Sequence, residues 1–121
     1  MEHPHAEWDF QRDKMFRDPY QRATIAAYQR GLVPVGALRA CQAIMHNVDP
    51  ITGCGTETIQ WLADSAVASP RAVQYWLREA EAEGLVITKS AGVLGLHLQL
   101  TTRLFDIVRD APEAPTVRRR R

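Results

Sequence analysis

Ser69-Pro70-Arg71-Ala72-Val73-Gln74-Tyr75-Trp76-Leu77-Arg78 carries opposite chemistry on two faces at helical spacing. Arg71, Gln74, Tyr75 and Arg78 stand at i, i+3, i+4 and i+7 and form one polar stripe, while Val73, Trp76, Leu77 and Ala80 form the apolar stripe opposite. The boundaries are also legible. Ser69 can cap the first turn with its hydroxyl, Pro70 suits a first helical position that needs no N–H, and Gly84 can close the far end in the left-handed conformation. The pattern predicts a helix over residues 69–83 with one side buried and one presented. Glu79, Glu81 and Glu83 make its second half acidic, so only the first half approaches phosphates without repulsion.

Upstream, Val35 to Asn47 places Leu38, Cys41, Ala43, Ile44 and Met45 on an apolar arc wide enough to be buried on most sides. Val48-Asp49-Pro50-Ile51-Thr52-Gly53-Cys54-Gly55 is rich in turn formers and cannot continue that helix. Thr56 to Ser65 reads as a short helix with Ile59, Leu62, Ala63 and Ala66 inward, capped by Gly55 or Thr56. Before these, Tyr20 to Arg30 predicts a helix carrying Ile25, Ala26, Ala27 and Tyr28, stopped by Gly31. Trp8, Phe10, Met15 and Phe16 are spaced for a further short helix between Pro4 and Pro19.

Downstream of Gly84 the period changes from helical to alternating. Leu85 and Ile87 point one way and Val86 and Thr88 the other; a second run sets Leu96, Leu98 and Leu100 against His97, Gln99 and Thr101. With Ser90 to Gly95 as the connection, these runs predict a β-hairpin. Thr102 to Asp110 predicts a closing helix capped by Thr102, with Leu104, Phe105, Ile107 and Val108 for packing.

Asp49-Pro50-x-Thr52-Gly53-Cys54, Thr58-Ile59-x-x-Leu62-Ala63, Ser69-Pro70-Arg71-x-Val73-Gln74-x-Trp76-Leu77 and Gly84-Leu85-Val86 follow one another in the order of a winged helix-turn-helix. Over roughly residues 35 to 101 the chain resembles the replication-type helix-turn-helix domains of plasmid and phage proteins, and more loosely winged-helix bacterial transcription regulators. The resemblance implies a mainly α fold with a small β-hairpin, with helical extensions at both ends. The corresponding division is an N-terminal helical extension (1–33), a winged helix-turn-helix domain (34–110) and a disordered basic tail (111–121). Two positions depart from the family pattern. Val67 stands where glycine is common, and as a β-branched residue tolerates a left-handed backbone poorly, which predicts a longer or differently shaped turn. The hairpin offers only Lys89 and His97 as basic groups, with Val93 and Leu94 near its tip.

The implied function is binding of double-stranded DNA in replication initiation, plasmid maintenance or transcription regulation. The helix beginning at Ser69 would present Arg71, Gln74, Tyr75 and Arg78 to the major groove. Arginine suits guanine edges, glutamine suits adenine, and tyrosine can bond a phosphate. Thr56 and Thr58, at the start of the preceding helix, would bind backbone phosphate; Lys89 and His97 would approach flanking backbone. A homodimer is expected, because one such helix reads only a half-site. A rival reading is a winged helix used for protein interaction without intrinsic DNA specificity.

Charge sharpens both readings. Four of the 15 lysines and arginines are Arg118, Arg119, Arg120 and Arg121, which leaves 11 bases against 14 acids, a balance of −3, elsewhere. Phosphate affinity would therefore come from Arg71 with Arg78, from Lys89, or from the arginine tail. That tail reads as a phosphate-binding extension, a solvated terminus, or the edge of a longer chain. Met1-Glu2-His3-Pro4-His5 lacks the order of a signal peptide and no apolar run is long enough to span a bilayer, which predicts a cytoplasmic protein without a membrane partner. Cys41 and Cys54 are expected to be free thiols. Cys41, His46 and Cys54 are spaced too irregularly for a structural metal. With no phosphate loop, nucleophile elbow or evident acid pair, neither catalysis, a cofactor nor a small-molecule ligand is expected. Trp61 lies off the apolar face of its helix and reads as packing beneath Trp8 or Phe10, or as a partner contact. Trp76 reads as core. The aromatic residues of the first 20 positions suit either a dimer arm or an extension folded back on its own domain.

Overall fold

A computed structural model of the chain describes residues 17–111. Among them, five helices and three strands run in the order α1 (Arg17–Arg30), α2 (Val35–Met45), β1 (Cys54–Glu57), α3 (Ile59–Ala66), α4 (Pro70–Ala82), β2 (Val86–Ser90), β3 (Leu96–Leu100) and α5 (Arg103–Asp110). The protein is mainly helical with a small antiparallel sheet, as the pattern predicts. The expected helix around Trp8, Phe10, Met15 and Phe16, and the tail Arg118 to Arg121, lie outside the described residues. No described helix is long and apolar enough to cross a membrane.

The apolar arc of α2 becomes the centre of the core. Ala37, Leu38, Ala40, Cys41, Ala43, Ile44 and Met45 are all buried. Val73, Leu77 and Ala80 of α4, Val86, Leu98 and Leu100 of the sheet, and Leu104 and Phe105 of α5 close around them. On α1 the inward line is Tyr20, Ala23, Thr24 and Ala27, whereas Ile25 and Tyr28 are exposed. The small residues on that line let α1 approach closely, and Thr24 is tolerated inside because its hydroxyl donates to the Gln21 carbonyl at 2.7 Å. The Tyr20 ring meets Phe105 edge-on, with centroids 5.8 Å apart. Arg30 donates to the Val108 and Ala111 carbonyls at 3.3 and 3.4 Å, tying α1 to the end of α5.

Residues 54–57 correct the sequence reading. The sheet has three strands in the order β1-β3-β2, with Cys54 opposite Gln99 and Glu57 opposite Leu96 on one side of β3, and Val86 opposite Leu100 and Ser90 opposite Leu96 on the other. Cys-Gly-Thr-Glu has no apolar alternation, so periodicity is silent, and the strand exists because a turn delivers it to the β3 edge. In that turn Asp49 accepts from the Ile51 N–H through its carboxylate at 2.8 Å and donates its own N–H to the Cys54 carbonyl at 2.9 Å. The helix that follows therefore starts at Ile59, and its cap is Thr58, not Gly55 or Thr56: the Trp61 N–H donates to the Thr58 hydroxyl oxygen at 3.0 Å. A second correction concerns α5. Thr102 makes no side-chain cap; the Thr101 hydroxyl accepts from the Arg103 N–H at 3.2 Å and donates to the Gly84 carbonyl at 2.7 Å.

Three helices end in the same hydrogen-bonded motif. Leu32, Ala68 and Leu85 each donate back five residues, to Ala27, Ala63 and Ala80, at 3.0, 2.9 and 2.9 Å. The residue before each donor is left-handed: Gly31 at φ 62°, Val67 at φ 54° and Gly84 at φ 75°. Val67 is the one described non-glycine residue with positive φ, so the expected longer or reshaped turn does not occur. Three residues still join α3 to α4. The backbone bonds hold the tight form, and the Val67 side chain, 92% exposed, contributes little packing in return. Left-handed geometry costs a residue with a Cβ roughly 1–2 kcal/mol. Val67→Gly is therefore expected to stabilise the fold by about 1 kcal/mol, after allowance for the added freedom of the unfolded chain. A urea midpoint that rises at unchanged m would bear this out, and a lower midpoint would show that the turn stores no strain.

Burial also sets the alkaline limit of stability. The Tyr20 hydroxyl titrates well above its ordinary 10.0, first because it is buried and then because the Cys41 thiol is beside it. Burial pushes the Cys41 thiol up from 9.0 to about 11, slightly opposed by Tyr20. Both groups stay neutral in the folded chain where the unfolded chain has begun to ionise. The Cys41 contribution is whole below pH 9 and is lost as pH rises through about 11; that of Tyr20 is whole below its ordinary 10.0 and is lost at more alkaline pH. For Cys41 that loss is on the order of 2–3 kcal/mol. Unfolding curves are expected to weaken steeply between these limits, and more gently in Cys41→Ala; equal slopes would exclude the thiol as a cause.

Candidate nucleic-acid interface

The first turns of α4 are built to hold their outer side chains in place. Ser69 accepts from the Ala72 N–H at 3.1 Å, Pro70 occupies the first turn, and Val73, Leu77 and Ala80 anchor the inner face. Arg71, Gln74, Tyr75 and Arg78 all project into solvent. A shallow hollow of about 420 Å³ runs along this face, lined by Ser69, Arg71, Ala72, Tyr75, Trp76 and Arg78. The structure thus brings together four of the expected residues, Ser69, Arg71, Tyr75 and Arg78, with Gln74 on the opposite flank of the same exposed face.

The charges on α4 are sorted by direction. None of the described ion pairs involves Arg71, Arg78 or Lys89; these pairs are Arg109 with Asp106 at 3.0 Å and with Asp110 at 3.1 Å. Glu81 accepts a hydrogen bond from the Thr88 hydroxyl on β2. Glu79 is half-buried on the other flank, where a methyl group at Gly36 would run into its carboxylate and come within 3.1 Å of the Trp76 ring. Glu79 and Glu81 thus lie at the two edges of α4, and the guanidinium groups of Arg71 and Arg78 keep their hydrogen-bonding capacity.

A second polar group lies on the outer face of the sheet. Thr56, His97 and Lys89 are directly opposite one another across β1, β3 and β2, and the Thr56 hydroxyl is 2.8 Å from His97 Nδ1. With Cys54, Gln99 and Ile87 they border a shallow hollow of about 470 Å³. Thr56 is therefore on a strand, not at the start of a helix, and its hydroxyl is engaged by His97. Thr58 does stand at the start of α3, with its oxygen taken by the Trp61 N–H. At the end of the hairpin Val93 and Leu94 are exposed, within a 3-10 turn over Gly92–Leu94. The chain matches no protein-family model and no curated protein. Its own residues and their geometry must carry the functional reading.

Two aromatic residues are placed by contacts that periodicity does not reveal. Trp61 is 55% exposed, and its Nε1 donates to Asn47 Oδ1 at 2.7 Å. Asn47 in turn donates to the Ala43 carbonyl at 2.8 Å and to the Ser65 hydroxyl at 3.0 Å, joining the end of α2 to α3. An off-face tryptophan signals that its N–H needs an acceptor; which acceptor depends on the fold, and Trp8 and Phe10 lie outside the described residues. Trp76 is half-buried at the core margin, with the Arg39 guanidinium 5.6 Å from its ring centroid. A larger hollow of about 710 Å³ continues from Trp76 between α1 and α2, past Ile25, Tyr28, Val35, Arg39 and His46. Cys41 and Cys54 are both free thiols, and among the described residues no three metal-ligating side chains come together.

The Thr58 hydroxyl supplies the cap of α3. Thr58→Ala is expected to lower folding stability by about 1 kcal/mol, measured as a shift of the unfolding midpoint. An unchanged midpoint would mean that this hydroxyl does not hold the helix.

Proposed function

We propose that the chain is a winged helix-turn-helix protein that binds double-stranded DNA, with α4 lying in the major groove. The observation that carries this reading is the exposed stripe of Arg71, Gln74, Tyr75 and Arg78 on a helix whose back is fixed in the core and whose arginines are in no described ion pair. The preceding α3 and the three-residue connection supply the helix-turn-helix arrangement, in which the second helix meets base edges. In this reading Arg71 and Arg78 pair with guanine edges or phosphate, Gln74 with adenine, and Tyr75 with phosphate. Lys89 and His97 approach the flanking backbone.

The protein acts as a homodimer in this proposal, because a single α4 spans only a half-site. Exposed Ile25, Tyr28 and Val35 offer apolar surface for the second copy. The setting is cytoplasmic, in a prokaryote or mobile element, in replication initiation, plasmid maintenance or transcription regulation. A protein-interaction module is the rival, favoured by exposed Val93 and Leu94 and by the hollow between α1 and α2.

The two readings separate on titration of the protein against a mixed-sequence duplex at low and moderate salt. DNA binding predicts an affinity that falls as salt rises; no salt-sensitive binding at low ionic strength would overturn it. On a preferred site Arg71→Ala is expected to cost about 1–3 kcal/mol of binding free energy.

A further inference from the structure

Arg39 is carried by α2, outside the helix expected to read DNA, and nothing in the apolar pattern of α2 gives it a task. It is exposed, and its guanidinium lies over the Trp76 ring at 5.6 Å from the centroid. Trp76 follows Tyr75 on α4 and turns by one helical step toward α2. It borders two hollows, one shared with Ser69, Arg71, Tyr75 and Arg78, the other lined by Arg39 itself. This cation–π contact therefore places a cation from α2 along the flank of the α4 stripe.

Stacking and hydrogen bonding use different parts of the guanidinium. The ring attracts its flat face, while its five N–H groups point outward in the plane. Arg39 has no described ion pair or hydrogen bond that would occupy that edge. Two other arginines show the contrast: Arg30 spends its N–H groups on the Val108 and Ala111 carbonyls, and Arg109 spends its own on Asp106 and Asp110. Glu79, the carboxylate on the same flank of α4, is packed at Gly36 and is not in an ion pair with Arg39. A planar, unoccupied N–H fork is suited to two oxygens of one phosphate, and a ring contact that favours its placement beside α4 in advance reduces the ordering cost of binding.

We propose that Arg39 is a DNA-backbone contact supplied by α2 and oriented by Trp76, beside the α4 stripe. The assignment rests on the DNA-binding reading of α4. It adds a phosphate contact that is independent of base sequence, so its loss lowers affinity equally on different duplexes.

The test uses the full chain with two mixed-sequence duplexes between roughly 50 and 200 mM salt. Arg39→Gln is expected to reduce the magnitude of the log–log salt slope by about 0.9 and to weaken binding on the order of threefold, by the same factor on both duplexes. Arg39→Lys is expected to retain the slope, because the charge remains, with somewhat lower affinity because the fork is gone. An Arg39→Gln protein with the parent slope and affinity, alongside an Arg71→Ala protein that binds more weakly, overturns the Arg39 assignment and leaves the α4 reading standing. Unequal losses on the two duplexes, or an Arg39→Lys slope as low as that of Arg39→Gln, also overturn it. Absence of salt-sensitive binding by the parent overturns the α4 reading and this assignment together.

Discussion

α2 buries seven of its eleven residues and leaves only the line of Val35, Arg39 and Gln42 toward solvent, and the distances at which its neighbours can pack follow from that burial. Ala37, Ala40 and Ala43 are small enough for helices to approach along their whole length, while Leu38, Ile44 and Met45 fill the spaces between them. α4 lies close at Gly36, where an added methyl group would displace the Glu79 carboxylate and meet the Trp76 ring at 3.1 Å. The position of the exposed α4 stripe is thus determined from behind. Bulk added along the alanines of α2 would move α4 outward, and Arg71, Tyr75 and Arg78 with it.

The same packing explains how an acidic helix presents a basic face. Glu79 and Glu81 lie on opposite flanks of α4, one against α2 and the other bonded to Thr88 of β2. Glu81 stands three residues after Arg78, a spacing at which the two could pair, but its carboxylate accepts from Thr88 on β2, and Glu79 is half-buried toward α2. Arg71 and Arg78 are thus in no described ion pair, in a chain whose charge balance outside the arginine tail is slightly negative. Local placement, and not net charge, decides which ligands such a surface can take.

The long elements were legible because their periods and boundaries agreed. Ser69, Pro70 and Gly84 bracket α4 by local chemistry alone, and the arc of α2 announces burial from within eleven residues. What escaped the sequence depends on partners far away along the chain. β1 pairs with residues some forty positions later, and the Trp61 acceptor is fourteen residues upstream. The inward face of α1 is not legible from hydrophobicity, which ranks Ile25 and Tyr28 above Ala23 and Ala27, whereas close helix packing favours the smaller residues. Val67 is a different case. Intrinsic preference argues against a left-handed valine, yet Val67 is left-handed, because the backbone bonds at Val67 and Ala68 outweigh the local strain. At the candidate site, the α4 stripe was visible as periodicity, while Thr56 was assigned to the wrong element because its strand was invisible.

These placements have consequences for how a DNA-binding reading would work energetically. Val93 and Leu94 occupy the tip of the β2–β3 connection, where a basic residue would have extended the phosphate contact, and the one lysine of the hairpin, Lys89, is held back on its outer face opposite His97. Each phosphate contact releases about one counterion, so a surface whose described cations are few gives one copy only a modest electrostatic hold. Specific affinity must then come from rigid presentation, with α4 fixed in the core and its guanidinium groups unoccupied, and from doubling the contacts by pairing two copies. On the proposed reading, a weak grip per copy would make a dimer the unit that discriminates, because each half-site alone would lie near the level of non-specific attraction.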